Sequence, residues 1–144
     1  MLKNIPPILG PDLLAILRSM GHGDEIAIVD ANYPADSAGP VLVRLDGLSA
    51  TDVLDAILTL MPLDDFVEEA AFCMQVVGDG NRREPIMDAF ETILHRHEPK
   101  MDLASLERFA FYDRVKTGYA VVQTGERRLY GNIVLKKGIV RPDG

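Results

Sequence analysis

His22 stands between Gly21 and Gly23, with Asp24 and Glu25 behind it, and Asp30 follows one short apolar run later. An imidazole changes charge near neutral pH, and a carboxylate within reach can orient it or share its proton work. The spacing puts His22 on a tight helix-to-strand connection and Asp30 just past the strand that follows. A histidine and a carboxylate at adjoining loop ends are expected to share one pocket and move protons on a small ligand. Flanking glycines would let that ligand approach the backbone closely. The C-terminus of the preceding helix favours an imidazolium. Asp30 sits at a strand's carboxyl end, where open α/β sheets bind ligands. Each residue also has a plainer reading: His22 as a polar residue beside a helix cap, and Asp30 as an Asx-type turn.

Further groups could hold the oxygens of a polyol. Arg108 and Tyr112 are spaced i, i+4, so one helix face would carry both donors; a solvated pair is the plainer reading. Tyr130 and Asn132 flank small Gly131 at the start of an apolar run, where a strand's period of two would put both on one side. Tyr and Asn suit sugar hydroxyls. Other signals are weaker. His95 and His97 are two apart on a predicted helix and face different ways, which argues against a metal pair. Gly78-Asp79-Gly80 reads as a turn, because no Lys-Ser/Thr follows on a helix as a phosphate loop requires.

The elements that must position these groups alternate. Pro11–Met20 is a predicted helix with an apolar stripe of Leu13, Leu14 and Leu17, and Gly21 is the expected left-handed cap. Glu25–Val29 is a strand, 32–40 a loop and Val41–Leu45 a second strand. Ser49-Ala50-Thr51-Asp52 resembles a capping box and opens a helix through Leu60, stopped by Pro62. Phe72–Val77 is a third strand and Pro85–His97 a helix. Leu103–Lys116 is predicted as one helix, Tyr119–Gln123 as a strand and Leu129–Lys137 as the last strand, antiparallel to the one before it. Alternation of this kind predicts a three-layer α/β/α sandwich with a mixed sheet.

The bulk numbers narrow the class. A chain of 144 residues, 47% hydrophobic, is expected to form one domain, with no repeat or linker. The net charge is −7, from 22 acidic against 15 basic residues, and no basic block stands out, which argues against nucleic-acid and anionic-membrane partners. The opening Met-Leu-Lys-Asn-Ile-Pro-Pro lacks the apolar region of a signal peptide, and no apolar run approaches a membrane span. The single Cys73 lies in an apolar run and reads as a reduced, buried thiol. These features predict a cytoplasmic protein.

Several short stretches, taken in order, resemble the L-fucose mutarotase family, relatives of D-ribose pyranase. They are Pro11-Asp12-Leu13-Leu14, Met20-Gly21-His22-Gly23-Asp24-Glu25-Ile26, Asp30-Ala31-Asn32-Tyr33-Pro34-Ala35, Leu45-Asp46-Gly47 and Met61-Pro62-Leu63-Asp64. Glu107-Arg108-Phe109, Phe111-Tyr112-Asp113-Arg114, Thr124-Gly125-Glu126 and Tyr130 through Gly138 complete the set. The ribose branch typically has Gly-His-Thr-Asp and Tyr-Ala-Asn where this chain has Gly-His-Gly-Asp and Tyr-Gly-Asn. The resemblance implies a ribose-pyranase-like fold and interconversion of the α and β anomers of a free sugar, L-fucose before others. It implies His22 as general acid/base, with Asp30 as the carboxylate against the sugar. It implies sugar contacts from Asp64, Arg108, Tyr112, Tyr130 and Asn132. It further implies no cofactor or metal, and ring-shaped, often decameric, homo-oligomers with sites where neighbouring subunits meet. A D-ribose pyranase and a non-catalytic sugar-binding module remain as alternatives, since fold alone does not guarantee activity.

Overall fold

The computed structural model describes residues 1–143. Strand β1 (Glu25–Val29) is the centre of the architecture. Its apolar residues alternate between the two sheet faces and all four of Ile26, Ala27, Ile28 and Val29 are buried. Burial on both faces demands a layer on each side. Helices α1 (Pro11–Ser19), α2 (Ala50–Leu60) and α3 (Pro85–His97) cover the face carrying Ile26 and Ile28. Helix α4 (Arg108–Lys116) and the Tyr33–Ala35 loop cover the face carrying Ala27 and Val29. The predicted three-layer sandwich is therefore present.

The remaining strands are β2 (Val41–Leu45), β3 (Ala71–Met74), β4 (Ala104–Leu106), β5 (Ala120–Thr124) and β6 (Ile133–Lys136). They form one six-stranded sheet in the order β2-β5-β1-β6-β3-β4. Strands β1 to β5 run parallel, and β6 alone is antiparallel, inserted between β1 and β3. The sheet is mixed, as expected, but the last two strands do not pair with each other. Strand β1 lies between them, so β6 takes Glu25–Ile28 on one side and Ala71–Cys73 on the other.

Local chemistry explains most element ends. Pro11 opens α1, where its missing N–H costs nothing. Ser49 accepts from the Asp52 N–H at the start of α2. Three expectations are corrected. Residues 103–116 are not one helix: Ala104–Leu106 is an edge strand on β3, and α4 starts at Arg108 with Glu107 accepting from the N–H groups of Phe109 and Ala110. The last strand starts at Ile133, not Leu129, because Tyr130 has a left-handed φ of 61° that no strand accommodates. The left-handed glycine after α1 is Gly23, with φ 89°, not Gly21. Gly21 instead donates its N–H to the Asp24 side chain at 2.7 Å.

Candidate functional site

Asp30 is delivered by the carboxyl end of β1 and is 6% exposed. Its N–H donates to Asn132 Oδ1 at 2.8 Å, and its Oδ1 accepts from the Asn32 N–H at 3.0 Å. Burial raises the Asp30 carboxyl above its ordinary range. Hydrogen bonds from the backbones of Asn32, Gly131 and Tyr33 and from the Asn132 side chain oppose that rise only in part. Asn132 immediately precedes β6, which enters the sheet antiparallel beside β1. The same pairing that makes the sheet mixed thus brings residues 30 and 132 together.

Arg108 and Tyr112 come from the first two turns of α4, above the carboxyl end of β4. They line one cleft with Asp30, Asn32, Tyr130 and Asn132. Arg108 Nε is buried and has no hydrogen-bond partner among the described residues. An unmet buried donor costs about 1–3 kcal/mol, which a ligand oxygen would recover. The Arg108 guanidinium is 4.6 Å from the centre of the Phe109 ring. The cleft holds about 240 Å³, just below the roughly 300–1,000 Å³ of drug-sized sites, a scale suited to one small polar ligand.

Tyr130 reaches the cleft from a strained backbone, and its hydroxyl accepts from the Val77 N–H at 3.0 Å. Non-glycine residues in such conformations cost on the order of 1–3 kcal/mol and gather at functional sites. The next residue, Gly131, is packed without room for a side chain. A Cβ on Gly131 would lie 2.7 Å from Glu126 Cγ and 3.0 Å from Ile86 Cδ1. Tyr130 and Asn132 therefore do line the same cleft, but through this tight turn and not through a strand's alternation.

His22 and Asp64 are elsewhere. His22 precedes the amino end of β1, whereas Asp30 follows its carboxyl end. At about 3.3 Å per strand residue, the two are on the order of 20 Å apart. The expected pocket shared by His22 and Asp30 does not exist within one chain. His22 instead pairs with Asp64, Nε2 to Oδ1 at 2.9 Å. Asp64 Oδ1 also accepts from the Phe66 N–H at 3.0 Å, and its backbone N–H donates to Lys136 O at the end of β6. The Phe66 ring stands 5.1 Å from the imidazole, centre to centre. Burial pushes the Asp64 carboxyl up. The hydrogen bonds from His22 and Phe66 and the charges of His22 and Lys136 outweigh it and hold the group below the usual range. An anionic Asp64 makes Nε2 the donor, which leaves Nδ1 as the acceptor in a neutral ring. The imidazole is 42% exposed while the Asp64 side chain is 4% exposed, so this pair presents His22 outward.

Two polar residues that hold the cleft's floor were not singled out from sequence. Gln123, one residue before the end of β5, donates through Nε2 to Tyr33 O at 2.9 Å and Asp30 O at 3.3 Å. Tyr33 packs its ring 5.3 Å from that of Tyr112, and burial, then Tyr112 and Asp30, raise its hydroxyl further above its ordinary value. A glutamine closing an otherwise apolar run, Ala120-Val121-Val122, was the readable signal for the first. His95 and His97 hold different carboxylates, Asp102 at 3.1 Å and Asp55 at 2.7 Å. Glu91 lies beside His95 and Asp102, but its two oxygens already accept from Arg83 and the Leu103 N–H.

Fold and cleft together define an α/β protein with a small cleft lined by hydrogen-bonding groups at the carboxyl end of its sheet. Residues 3–140 match the model of the RbsD / FucU transport protein family, and the chain belongs to that family. It is 48% identical over 143 residues to the fucose mutarotase of Mus musculus, across 95% of this chain and 94% of that protein. It is 46% identical over 145 residues to the fucose mutarotase of Homo sapiens, across 96% of this chain and 94% of that one. The fucose mutarotase of Streptococcus pneumoniae, solved in complex with L-fucose, superposes with a TM-score of 0.90 at 45% identity, across 97% of this chain and all of that chain. RbsD of Bacillus subtilis, complexed with D-ribose, shares the fold at a TM-score of 0.72 and 23% identity.

Proposed function

We propose that this protein is a mutarotase that interconverts the α and β anomers of L-fucose. The observation that carries the reading is its 45% identity, across nearly the whole chain, to a fucose mutarotase solved with that sugar. The cleft adds chemical support: a buried carboxyl, an unpartnered guanidinium N–H and phenol and amide groups converge on a space of monosaccharide scale.

The reaction moves protons and breaks one C–O bond. A base takes the proton of the anomeric hydroxyl, and an acid gives a proton to the ring oxygen. The bond between C1 and the ring oxygen opens to the aldehyde. The C1–C2 bond rotates, and reclosure with the reverse proton transfers yields the other anomer. In this reading His22 Nδ1 takes the hydroxyl proton, with Asp64 as the positioning residue that fixes the ring and its tautomer. Asp30 holds the sugar, and its raised carboxyl makes it the candidate proton donor toward the ring oxygen. Arg108, Tyr112, Tyr130 and Asn132 hold hydroxyls. Free sugars already mutarotate in water, and positioned acid–base catalysis supplies roughly 10²–10⁴-fold.

The separation of His22 from Asp30 has a structural consequence. One complete site then needs His22 of one copy beside the Asp30 cleft of another. Two unlike surfaces meeting head to tail close a ring when the rotation permits. We therefore propose a ring-shaped homo-oligomer, a decamer as in the resembling family, working in the cytoplasm, with Cys73 kept as a thiol. Saturation-transfer NMR on L-fucose and D-ribose tests the activity. Wild type should speed anomer exchange of L-fucose, and His22→Ala should lose most of that while keeping its fold. Wild-type exchange in a folded His22→Ala variant, or no acceleration of L-fucose, would overturn the assignment.

A further inference from the structure

The cleft has two chemically unlike walls. Asp30, Arg108, Tyr112 and Asn132 bring hydrogen-bonding groups, whereas Met74, Val77 and Leu129 line the same space without any. Met74 is buried at the end of β3, while Val77 and Leu129 are large aliphatics left 55% and 64% exposed. They belong to two separate segments that the protein ties together. Tyr130 follows Leu129 directly, and its hydroxyl accepts the Val77 N–H at 3.0 Å. The strained Tyr130 backbone and the close-packed Gly131 behind it fix that link in place. An apolar edge is held deliberately beside a polar cleft.

Sugars offer polar groups on nearly every carbon, so an apolar wall has little to recognise in most of them. A 6-deoxy sugar is the exception, because C5 carries a methyl group. We propose that Met74, Val77 and Leu129 form the subsite for the C5 methyl group of a 6-deoxyhexose and set the protein's preference for it. The proposal rests on the mutarotase reading above. It also orients the ring, since C5 bears both the methyl group and the ring oxygen.

Three sugars with the same ring stereochemistry test it. L-fucose carries the methyl, L-galactose a hydroxymethyl in its place, and D-arabinose in its pyranose form a hydrogen. A single methyl in an apolar pocket is worth about 10–200-fold in specificity, and such a pocket rejects an added hydroxyl by roughly 100-fold. Saturation-transfer NMR should give wild-type kcat/KM for L-fucose about tenfold or more above both others. The Val77→Thr/Leu129→Gln double variant should narrow that preference to about threefold, chiefly through KM for L-fucose. Circular dichroism and size exclusion check that its fold and assembly are retained; neither side chain belongs to the buried core of the chain. Equal wild-type rates on L-fucose and D-arabinose would overturn the subsite without any variant. So would an assembled variant that keeps the full preference, and in both cases the mutarotase reading stands. Acceleration of none of the three sugars would take that reading down together with the subsite.

Discussion

Replacing Asp64 by asparagine isolates what the carboxylate does for His22. The amide keeps the shape of the side chain and an oxygen that can accept from both His22 Nε2 and the Phe66 N–H, now at 2.9 and 3.0 Å. Only the charge is lost. A hydrogen bond to a charged group contributes about 1.5–3 kcal/mol and a neutral one about 0.5–1.5, so the pair should weaken by roughly 1–2 kcal/mol. If that difference is felt in the transition state, where the imidazole gains charge, exchange falls about 5- to 30-fold at 1.36 kcal/mol per decade. His22→Ala, which removes the acid/base group itself, should lose roughly 10²–10⁴-fold. Saturation-transfer NMR over a range of L-fucose concentrations separates kcat from KM. A positioning residue predicts a fall in kcat with KM near wild type, and a shifted pH profile. Asp64→Asn exchange as low as that of His22→Ala, with a large rise in KM, would refute the reasoning and make Asp64 a direct sugar contact. Unchanged exchange would mean that the pair does nothing for catalysis.

Asp30→Asn should stabilise the fold while reducing exchange. The Asp30 carboxyl is raised in the folded state by burial, so its ionisation favours the unfolded chain. The stability it withholds is absent at low pH and grows as pH rises through the ordinary carboxylate range to the raised folded value. Thermal unfolding should therefore show a higher Tm for Asp30→Asn at pH 7, with the gap closing toward pH 4; a lower Tm at pH 7 contradicts this. Gly131→Ala forces a Cβ to within 2.7 Å of Glu126 Cγ. Overpacking of this kind costs about 1–3 kcal/mol, or roughly 3–10 °C in Tm for a chain of this size. An unchanged Tm with full exchange would show that the turn yields. Cys73 is buried and its thiol is pushed up to about 11 by burial. It should resist alkylation at pH 8 in the native protein and react once unfolded.

Sequence pattern carried far where local chemistry decides. Pro85–His97 and Glu25–Val29 appear in the structure with their predicted bounds, because a helix-opening proline and a run of apolar residues are local signals. Strand β4 was hidden for the opposite reason. Ala104-Ser105-Leu106 continues smoothly into a helical sequence, and only its pairing with Phe72–Met74 makes it a strand. The left-handed Tyr130 has no sequence signature, since few non-glycine residues adopt that conformation, and it shortened the last strand by four residues, from Leu129 to Ile133. Asp30, Tyr130 and Asn132 were readable as polar groups at element ends, and Arg108 and Tyr112 as an i, i+4 pair on one helix face; the structure gathers all five in one cleft. The separation of His22 from Asp30 is legible in the sequence too: two loop ends joined by a single strand lie at opposite edges of a sheet.

Mixed assemblies test the central claim most directly. His22→Ala and Asp30→Ala subunits, each expected to exchange L-fucose poorly alone, are unfolded together, refolded at equal ratio and assayed by saturation-transfer NMR. If each site joins His22 of one copy to Asp30 of its neighbour, random assembly restores about a quarter of the sites, and exchange should rise well above either variant toward a quarter of wild type. Hybrid assemblies of confirmed mixed composition that stay as slow as the separate variants would contradict the account.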